Sequence, residues 1–273
     1  MTETCKSCHD PLTLVLDPEE SDSEEETVPD DLLLPCGCHY HWQCLVDESS
    51  TITATLTCPS CNSYLPSNNP SSSSASSSAP QPAPTPIILT HYTNEGGVQP
   101  SLDIYPTLAE ESFLSTHPEA RAARAFHTLV SEGDVQGMVE LLKDADSPPS
   151  PSSSDDPDST PLGAEQLLAW RDPLNGGRSA LHVALEARQE EAVWLLLWLG
   201  SGARRADFPD AVVAAGQAMG LPRLRGEGLG SVPVRVEEED VRFVRDERGR
   251  TAADVCLELG PPWTRLVEGG LFS

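Results

Sequence analysis

The sequence predicts two folded modules of different kinds. A small domain organised by two zinc ions comes first and an all-α repeat solenoid second, joined by a disordered Ser/Pro-rich linker. Three observations carry this reading. Seven of the eight cysteines fall within the first 61 residues, at spacings that suit metal ligands. Residues 66–86, PSNNPSSSSASSSAPQPAPTP, show no apolar periodicity and read as a flexible-to-extended tether. The C-terminal half repeats itself, the segment Gly177 to Glu186 (GRSALHVALE) returning at Gly249 to Glu258 as GRTAADVCLE.

The charge distribution narrows the range of partners. The 273 residues carry 43 acidic and 17 basic side chains, a net charge of -26. Residues 1–120 hold 18 of the acids against a single base, Lys6. Nucleic acid and anionic membrane surfaces are recognised through clustered Lys and Arg, so neither is an expected partner. The longest apolar run, Ala192 to Leu199, is far shorter than the ~20 residues that span a bilayer. No basic stretch followed by an apolar one opens the chain, which leads us to expect a reducing cytosolic or nuclear setting in which cysteines stay thiols.

In order, the ligand candidates are Cys5-x-x-Cys8, Cys36-x-Cys38, His41-x-x-Cys44 and Cys58-x-x-Cys61. A tetrahedral zinc ion takes four Cys or His ligands, so four pairs satisfy two zincs with nothing left over. A disulfide framework fits poorly, because seven is odd and a histidine stands where the sulfur count falls short. His39, between two ligands, has no place in that register and is expected at the surface beside the site.

The stretch Leu34-Pro-Cys-Gly-Cys-His-Tyr-His-Trp-Gln-Cys44 makes residues 1–65 resemble a RING finger, with Cys38 where the family usually has histidine. A PHD finger would leave a longer gap between the fourth ligand and the histidine and would place an aromatic where Leu56 stands, so the spacing favours RING. The resemblance implies a cross-brace, in which Cys5, Cys8, His41 and Cys44 share one zinc and Cys36, Cys38, Cys58 and Cys61 the other. It also implies ubiquitin ligase activity without a catalytic nucleophile, since such domains hold a ubiquitin-charged conjugating enzyme ready for attack by a lysine. The positions implied in docking that enzyme are Ser7, Leu45, Ile52, Leu56, Pro59 and Asn62. Pro59 matches the family, and Leu45, Ile52 and Leu56 offer apolar contact. Ser7 replaces an aliphatic residue, Glu48 replaces a Trp, and Asn62 replaces the cation common in active members.

Between the first two ligand pairs lies an acidic loop, Asp17 to Asp31, read as a solvated insertion in which Ser21 and Ser23 suit acidophilic kinases. Residues 87–119 open on Ile87-Ile88-Leu89 and match no known pattern. They form an unassigned connecting segment that either packs on the following repeat or serves as a docking peptide.

From residue 120 to 273 the repeat resembles divergent ankyrin repeats, whose first helix begins near Leu-His-x-Ala; Ser179 and Thr251 then cap helix starts. Four units are expected: a cap repeat over Ala122 to Asp146, the two clear copies, and a divergent third over Phe208 to Pro222. A low-complexity insertion at 147–161, with Ser147-Pro148 and Ser150-Pro151, interrupts the array. The resemblance makes His182 a brace between neighbouring turns and Cys256 a small core residue, while Trp194 and Trp198 at helical spacing read as core. Ankyrin arrays bind proteins through turn tips, so Arg178, Arg204, Arg205, Arg248 and Arg250 are candidate substrate contacts.

The combined expectation is a RING-type ubiquitin-protein ligase that recruits a conjugating enzyme through the zinc finger and a protein substrate through ankyrin repeats. A non-catalytic zinc-finger/ankyrin adaptor is the alternative, favoured by Ser7 and Asn62. Only Lys6 and Lys143 supply acceptor amines in side chains, so self-modification is expected to be weak.

Overall fold

The computed structural model describes residues 3–15, 27–67, 85–146, 162–220, 223 and 240–272. Most of the acidic loop with Ser21 and Ser23, the tether at 68–84, the insertion at 147–161 and the end of the segment Phe208 to Pro222 lie outside the described residues. The chain divides into two compact units, Met1–Thr116 and His117–Ser273. No described helix is long and apolar enough to cross a membrane.

Unit 1 is built on short strands. Strands β1 (Thr13–Val15) and β2 (Thr27–Pro29) pair antiparallel. A four-stranded antiparallel sheet runs in the order β4 (His39–Tyr40), β3 (Asp31–Leu33), β5 (Leu89–Asn94), β6 (Gly97–Asp103). Helices α1 (Trp42–Asp47), α2 (Ser49–Thr55) and α3 (Tyr105–Thr116) complete the unit.

Alternation explains why β3 sits centrally: Leu32 points inward and is fully buried, while its neighbours are half-buried. The β5–β6 hairpin forms where Asn94-Glu-Gly-Gly97 breaks the strand pattern. There the Asn94 side chain accepts from the Gly96 N–H at 2.9 Å, and Gly97 takes a φ of 111° that a side chain would resist.

The segment read from sequence as an unassigned connector is therefore part of the first unit through residue 116. It supplies two strands of the sheet and a helix that packs on α2, and Thr53 donates to Ser112 at 3.0 Å across that helix pair. Ile88, Ile104 and Leu108 are fully buried with Leu32, Leu34, Tyr40, Leu45, Ile52 and Leu65. Asp30 is the polar anchor of this arrangement. Its buried carboxylate accepts from the Trp42 N–H at 3.2 Å and from the Tyr92 hydroxyl at 2.9 Å, joining the start of α1 to β5.

Unit 2 is a stack of antiparallel helix pairs: α4 (Ala120–Glu132) with α5 (Val135–Ala145), α7 (Ala180–Glu186) with α8 (Glu190–Gly200), and α10 (Ala252–Leu259) with α11 (Thr264–Glu268). Helix α7 contacts both α4 and α10, while α6 (Ala164–Ala169) packs on α5 and α8. Residue types set the boundaries. Gly133 ends α4 at a φ of 75°, and the Asp134 side chain caps α5 by accepting from the Gly137 N–H at 3.0 Å. Thr251 and Asp254 close a reciprocal capping box on α10.

The two copies of the repeat occupy equivalent places. Each starts with a turn, then enters α7 or α10. The first turn holds the short paired strands β7 (Arg171–Asp172) and β8 (Arg178–Ser179). The turns also touch each other, the Glu247 N–H donating to the Gly176 carbonyl at 2.9 Å. His182 joins them more deeply. The Ser179 hydroxyl lies 2.8 Å from its Nδ1, and its Nε2 donates to the Arg250 carbonyl at 3.0 Å.

Residues 208–220 depart from the expected third helix pair. They form one helix, α9 (Asp210–Ala218), packed on α8, while α7 meets α10 directly. Phe208 packs edge-on to Trp198, with ring centroids 5.4 Å apart, and Gly216 lets α9 approach because an added Cβ would collide with the Trp198 indole.

This packing has two measurable consequences. A fragment ending at residue 66 leaves Leu32, Ile52 and Tyr40 without Ile88, Ile104 and Leu108. It is expected to give the poorly dispersed proton spectrum of an unpacked chain even with metal, whereas 1–116 with metal gives a dispersed one. His127, 4% exposed with neither ring nitrogen partnered among the described residues, is pushed down to about 4 by burial, helped by Arg124 and His182. Because the folded value lies below the ordinary 6.5, its contribution is complete above that pH and is lost as pH falls toward about 4. The loss approaches ~3 kcal/mol, since each tenfold difference in proton affinity between the folded and unfolded chain is worth ~1.4 kcal/mol. Denaturant unfolding of unit 2 at pH 7 and pH 4.5 is expected to show that loss in wild type and a smaller one in His127→Phe.

Candidate metal centre

Two loops built alike carry the outer ligand pairs. In the first, the Cys5 N–H donates to the Asp10 carbonyl at 3.0 Å and the His9 N–H to the Cys5 carbonyl at 3.0 Å. In the second, the Cys58 N–H donates to the Ser63 carbonyl and the Asn62 N–H to the Cys58 carbonyl, both at 2.9 Å. Isolated bridges, Thr4 with Pro11 and Thr57 with Tyr64, close both loops in the same register. The residue after each second cysteine is left-handed, His9 at φ 68° and Asn62 at φ 58°, and both residue types tolerate that region better than most. This turn swings two thiols onto one point. The inner pairs come from other elements: Cys36 and Cys38 flank Gly37 (φ 84°) between β3 and β4, and His41 and Cys44 sit at the start of α1.

The fold gathers these pairs into two clusters, Cys5, Cys8, His41 and Cys44 in one and Cys36, Cys38, Cys58 and Cys61 in the other. Within each, the four donor atoms lie within 4.8 Å of one another, so each cluster can hold one metal ion. The pairs interleave along the chain, first with third and second with fourth. His41 Nδ1 lies 3.3 Å from Cys8 Sγ and 3.8 Å from Cys44 Sγ. A tetrahedral ion with bonds of about 2.0–2.3 Å needs donor separations of roughly 3.5–3.8 Å.

The surroundings of the donors suit a cation. His41 Nε2 donates to the Pro11 carbonyl at 2.8 Å, which leaves the Nδ1 lone pair facing the sulfurs. The His41 N–H points at Cys5 Sγ (3.4 Å), and the Tyr40 hydroxyl lies 3.5 Å from Cys58 Sγ. Burial pushes the Cys36 thiol up to about 11 and the Cys44 thiol up to about 12, and drives Cys38 above the usual thiol range, with neighbouring cysteines adding to the rise. Burial also raises Cys5, but N–H groups of His41, Cys8 and Ser7 outweigh it and bring it down to about 7. Ser63 holds Cys61 down to about 6. Several thiolates this close repel one another, and a divalent cation relieves that repulsion.

His39 stands outside both clusters. Its Nδ1 lies 2.7 Å from Asp31 and its Nε2 3.1 Å from Glu3.

The six implied docking positions separate by burial. Leu45 and Ile52 are both 0% exposed, so they are core residues and offer no contact surface; α3 packs over the helix that carries Ile52. Ser7 and Asn62 are exposed, and Leu56 and Pro59 are half-buried. Leu56 ends α2 in the left-handed region at φ 55°, its N–H bound to the Ile52 carbonyl at 2.7 Å and its carbonyl to the Leu65 N–H at 3.0 Å.

The candidate arginines separate as well. Arg250 is 12% exposed and held by Asp246, Glu186 and Glu258, so it is an internal tie between turn and helices. Arg178 is bound to Asn175 and Glu186, and Arg204 to Asp207. Arg205 and Arg248 are exposed or nearly so at the turns and have no partner among the described residues. Sequence reasoning missed Arg223, whose guanidinium sits 4.7 Å over the Trp198 ring; no motif marks it, because its partners are backbone carbonyls.

Set against known proteins, the chain matches no family model, no curated protein and no solved structure.

The clusters predict their own metal content. Two equivalents of divalent ion are expected per chain, and cobalt substitution should give the intense absorption of tetrahedral thiolate sites. Cys36→Ser should lower the stoichiometry and, because the pairs interleave, also weaken the site that retains all four of its ligands. Retention of full affinity there, by chelator competition, would contradict the interdependence.

Proposed function

We propose that this chain is a RING-type ubiquitin-protein ligase, with two zinc ions in a cross-braced finger that docks a ubiquitin-charged conjugating enzyme and divergent ankyrin repeats that recruit a protein substrate, acting in the cytosol or nucleus. The observation that carries the reading is the interleaving of the two ligand sets, combined with ligand spacing that resembles the RING family. Thiolate-rich sets of four suit zinc, which in such a closed site is structural and fixes the loops. Stacked helix pairs, and a histidine tying one turn to the next, support the ankyrin part.

No nucleophile is needed from this chain. Its contribution is to hold the thioester in a reactive geometry for an incoming amine, the kind of positioning that lowers a barrier through orientation alone. Leu56 and Pro59 flank Cys58 in sequence, are half-buried, and are the apolar residues of the six left for docking once Leu45 and Ile52 are assigned to the core. That reduction favours the second reading, a non-catalytic adaptor using the same two modules.

Discharge of ubiquitin from a panel of charged conjugating enzymes onto free lysine separates the two. Free lysine avoids reliance on Lys6 and Lys143, the two side-chain acceptors in the chain. Zinc-loaded protein is expected to accelerate discharge for at least one enzyme, with Pro59→Ala reducing the acceleration about tenfold, the ~1.4 kcal/mol of one modest contact. Absence of acceleration across the panel would establish the adaptor reading instead.

A further inference from the structure

Unit 2 contains a cationic cavity built from its own residues. It has a volume of about 300 Å³ and lies where α8 ends and α9 passes, lined by Trp198, Ala203, Arg204, Arg205, Gln217 and Arg223 together with Gly202. Three of the chain's arginines converge there in a protein of net charge -26, so the concentration of positive charge runs against the composition.

Arg223 is fixed in place. Its Nε donates to the Trp198 carbonyl at 2.9 Å, and one terminal nitrogen donates to the carbonyls of Ser201 (3.2 Å) and Ala203 (2.7 Å). Its guanidinium lies over the rings of Trp198 (4.7 Å) and Phe208 (5.4 Å). These partners orient the group and satisfy three of its five donors, but none carries a formal negative charge. The second terminal nitrogen has no acceptor, and no carboxylate pairs with Arg223, among the described residues. Arg205 is exposed and likewise unpaired there. Arg204 is balanced by Asp207 at 3.0 Å.

Among the described residues, the cavity therefore presents two guanidinium groups that no carboxylate balances, one of them oriented in advance. A group of charge near -2 complements that pair, and a phosphomonoester, at ~-1.5 to -2 with three acceptor oxygens, has that charge and geometry. The volume exceeds that of a phosphate group alone and admits the side chain that bears it. A nucleic-acid phosphate is a poor competitor, since the surrounding acidic chain repels a polyanion. We propose that this cavity binds a phosphorylated side chain of a protein partner. The assignment rests on Arg205, Arg223 and the cavity walls and stands whether or not the zinc finger transfers ubiquitin.

The test uses the full chain loaded with zinc. N-acetyl-O-phosphoserine amide is titrated while the indole N–H resonance of Trp198 is followed, assigned by its loss in Trp198→Phe. A saturable shift is expected, with the unphosphorylated N-acetylserine amide giving none. Arg205→Glu is expected to weaken binding at least tenfold; because Arg205 is exposed, this change leaves the fold intact. Arg223→Gln should weaken it comparably, and Arg265→Glu, an exposed arginine on α11, should leave it unchanged. Inorganic phosphate is the second arm, expected to bind more weakly than the phosphoserine probe. Free phosphate binding as tightly as the probe would overturn the assignment to a side chain. No saturable shift at millimolar probe, or unchanged affinity in Arg205→Glu, would overturn the site.

Discussion

Unit 1 depends on the interleaving of its ligands. Neither cluster draws its four donors from one continuous stretch: the pair at Cys36 and Cys38 lies between the two pairs of the other cluster, and His41 and Cys44 lie between the two pairs of this one. Each cluster therefore closes loops that contain part of its neighbour, and chain entropy removed in forming one is no longer there to oppose the other. The same constraint tolerates the long acidic insertion after Val15. The loop that carries it is closed at β1–β2 and by the ligand clusters, and each added residue in a closed loop costs little.

The clusters do not by themselves supply an apolar core, and the one that residues 32–65 begin is small. Ile88 and Ile104, which flank the β5–β6 hairpin, and Leu108 of α3 complete it, and Asp30 shows how the junction is secured. A buried carboxylate is costly unless fully bonded, and here it accepts from the backbone of α1 and from the Tyr92 hydroxyl. Tyr92 also stacks near Trp42, ring centroids 5.0 Å apart. One residue between β2 and β3 thus ties the helix that carries Cys44 to a strand more than fifty residues later. Unit 2 uses buried polar ties in a similar way. Asp172, 1% exposed, takes Arg124 and the Leu174 N–H, while Asp246, 4% exposed, takes the Arg250 backbone and side chain. Glu186 then bridges Arg178 and Arg250 across the two repeat copies.

The parts legible in the sequence are those whose chemistry is local. Cys-x-x-Cys spacing, the Gly-Arg-Ser/Thr repeat and the Thr251 cap each need only a few neighbouring residues, and the gathered thiols, paired helices and capping box answer to them. The illegible parts are those set by partners far along the chain. Ile52 has the look of an exposed apolar contact in a loop-rich finger, and it is buried because α3, some sixty residues on, lies over it. Residues 87–104 carry a visible signal in Asn94-Glu-Gly-Gly97, a hairpin turn between two runs rich in β-formers, but a hairpin does not announce which sheet it joins. The segment Phe208 to Pro222 reads from sequence as a divergent repeat unit, and its described residues form one helix, α9, whose packing on Trp198 depends on Gly216 rather than on a repeat motif.

The burial of Leu45 and Ile52 also changes where recognition can sit. α3 packs on the Ile52 side of α2, and at the end of α2 the backbone of Leu56 is held in a left-handed conformation that costs a bulky residue roughly 1–2 kcal/mol. That conformation persists because hydrogen bonds to Ile52 and Leu65 fix the residue from both sides. Glycine would relieve the strain at this position, whereas leucine adds partly exposed apolar surface two residues before Cys58. Strain retained where a simpler residue would remove it points to the side chain itself as the reason. In unit 2 the corresponding feature is Arg223, a cation placed against aromatic rings and carbonyls when a neutral residue would fill the same space. Both positions are partly exposed, and each is fixed through backbone groups: Leu56 by hydrogen bonds to Ile52 and Leu65, Arg223 by the carbonyls of Trp198, Ser201 and Ala203.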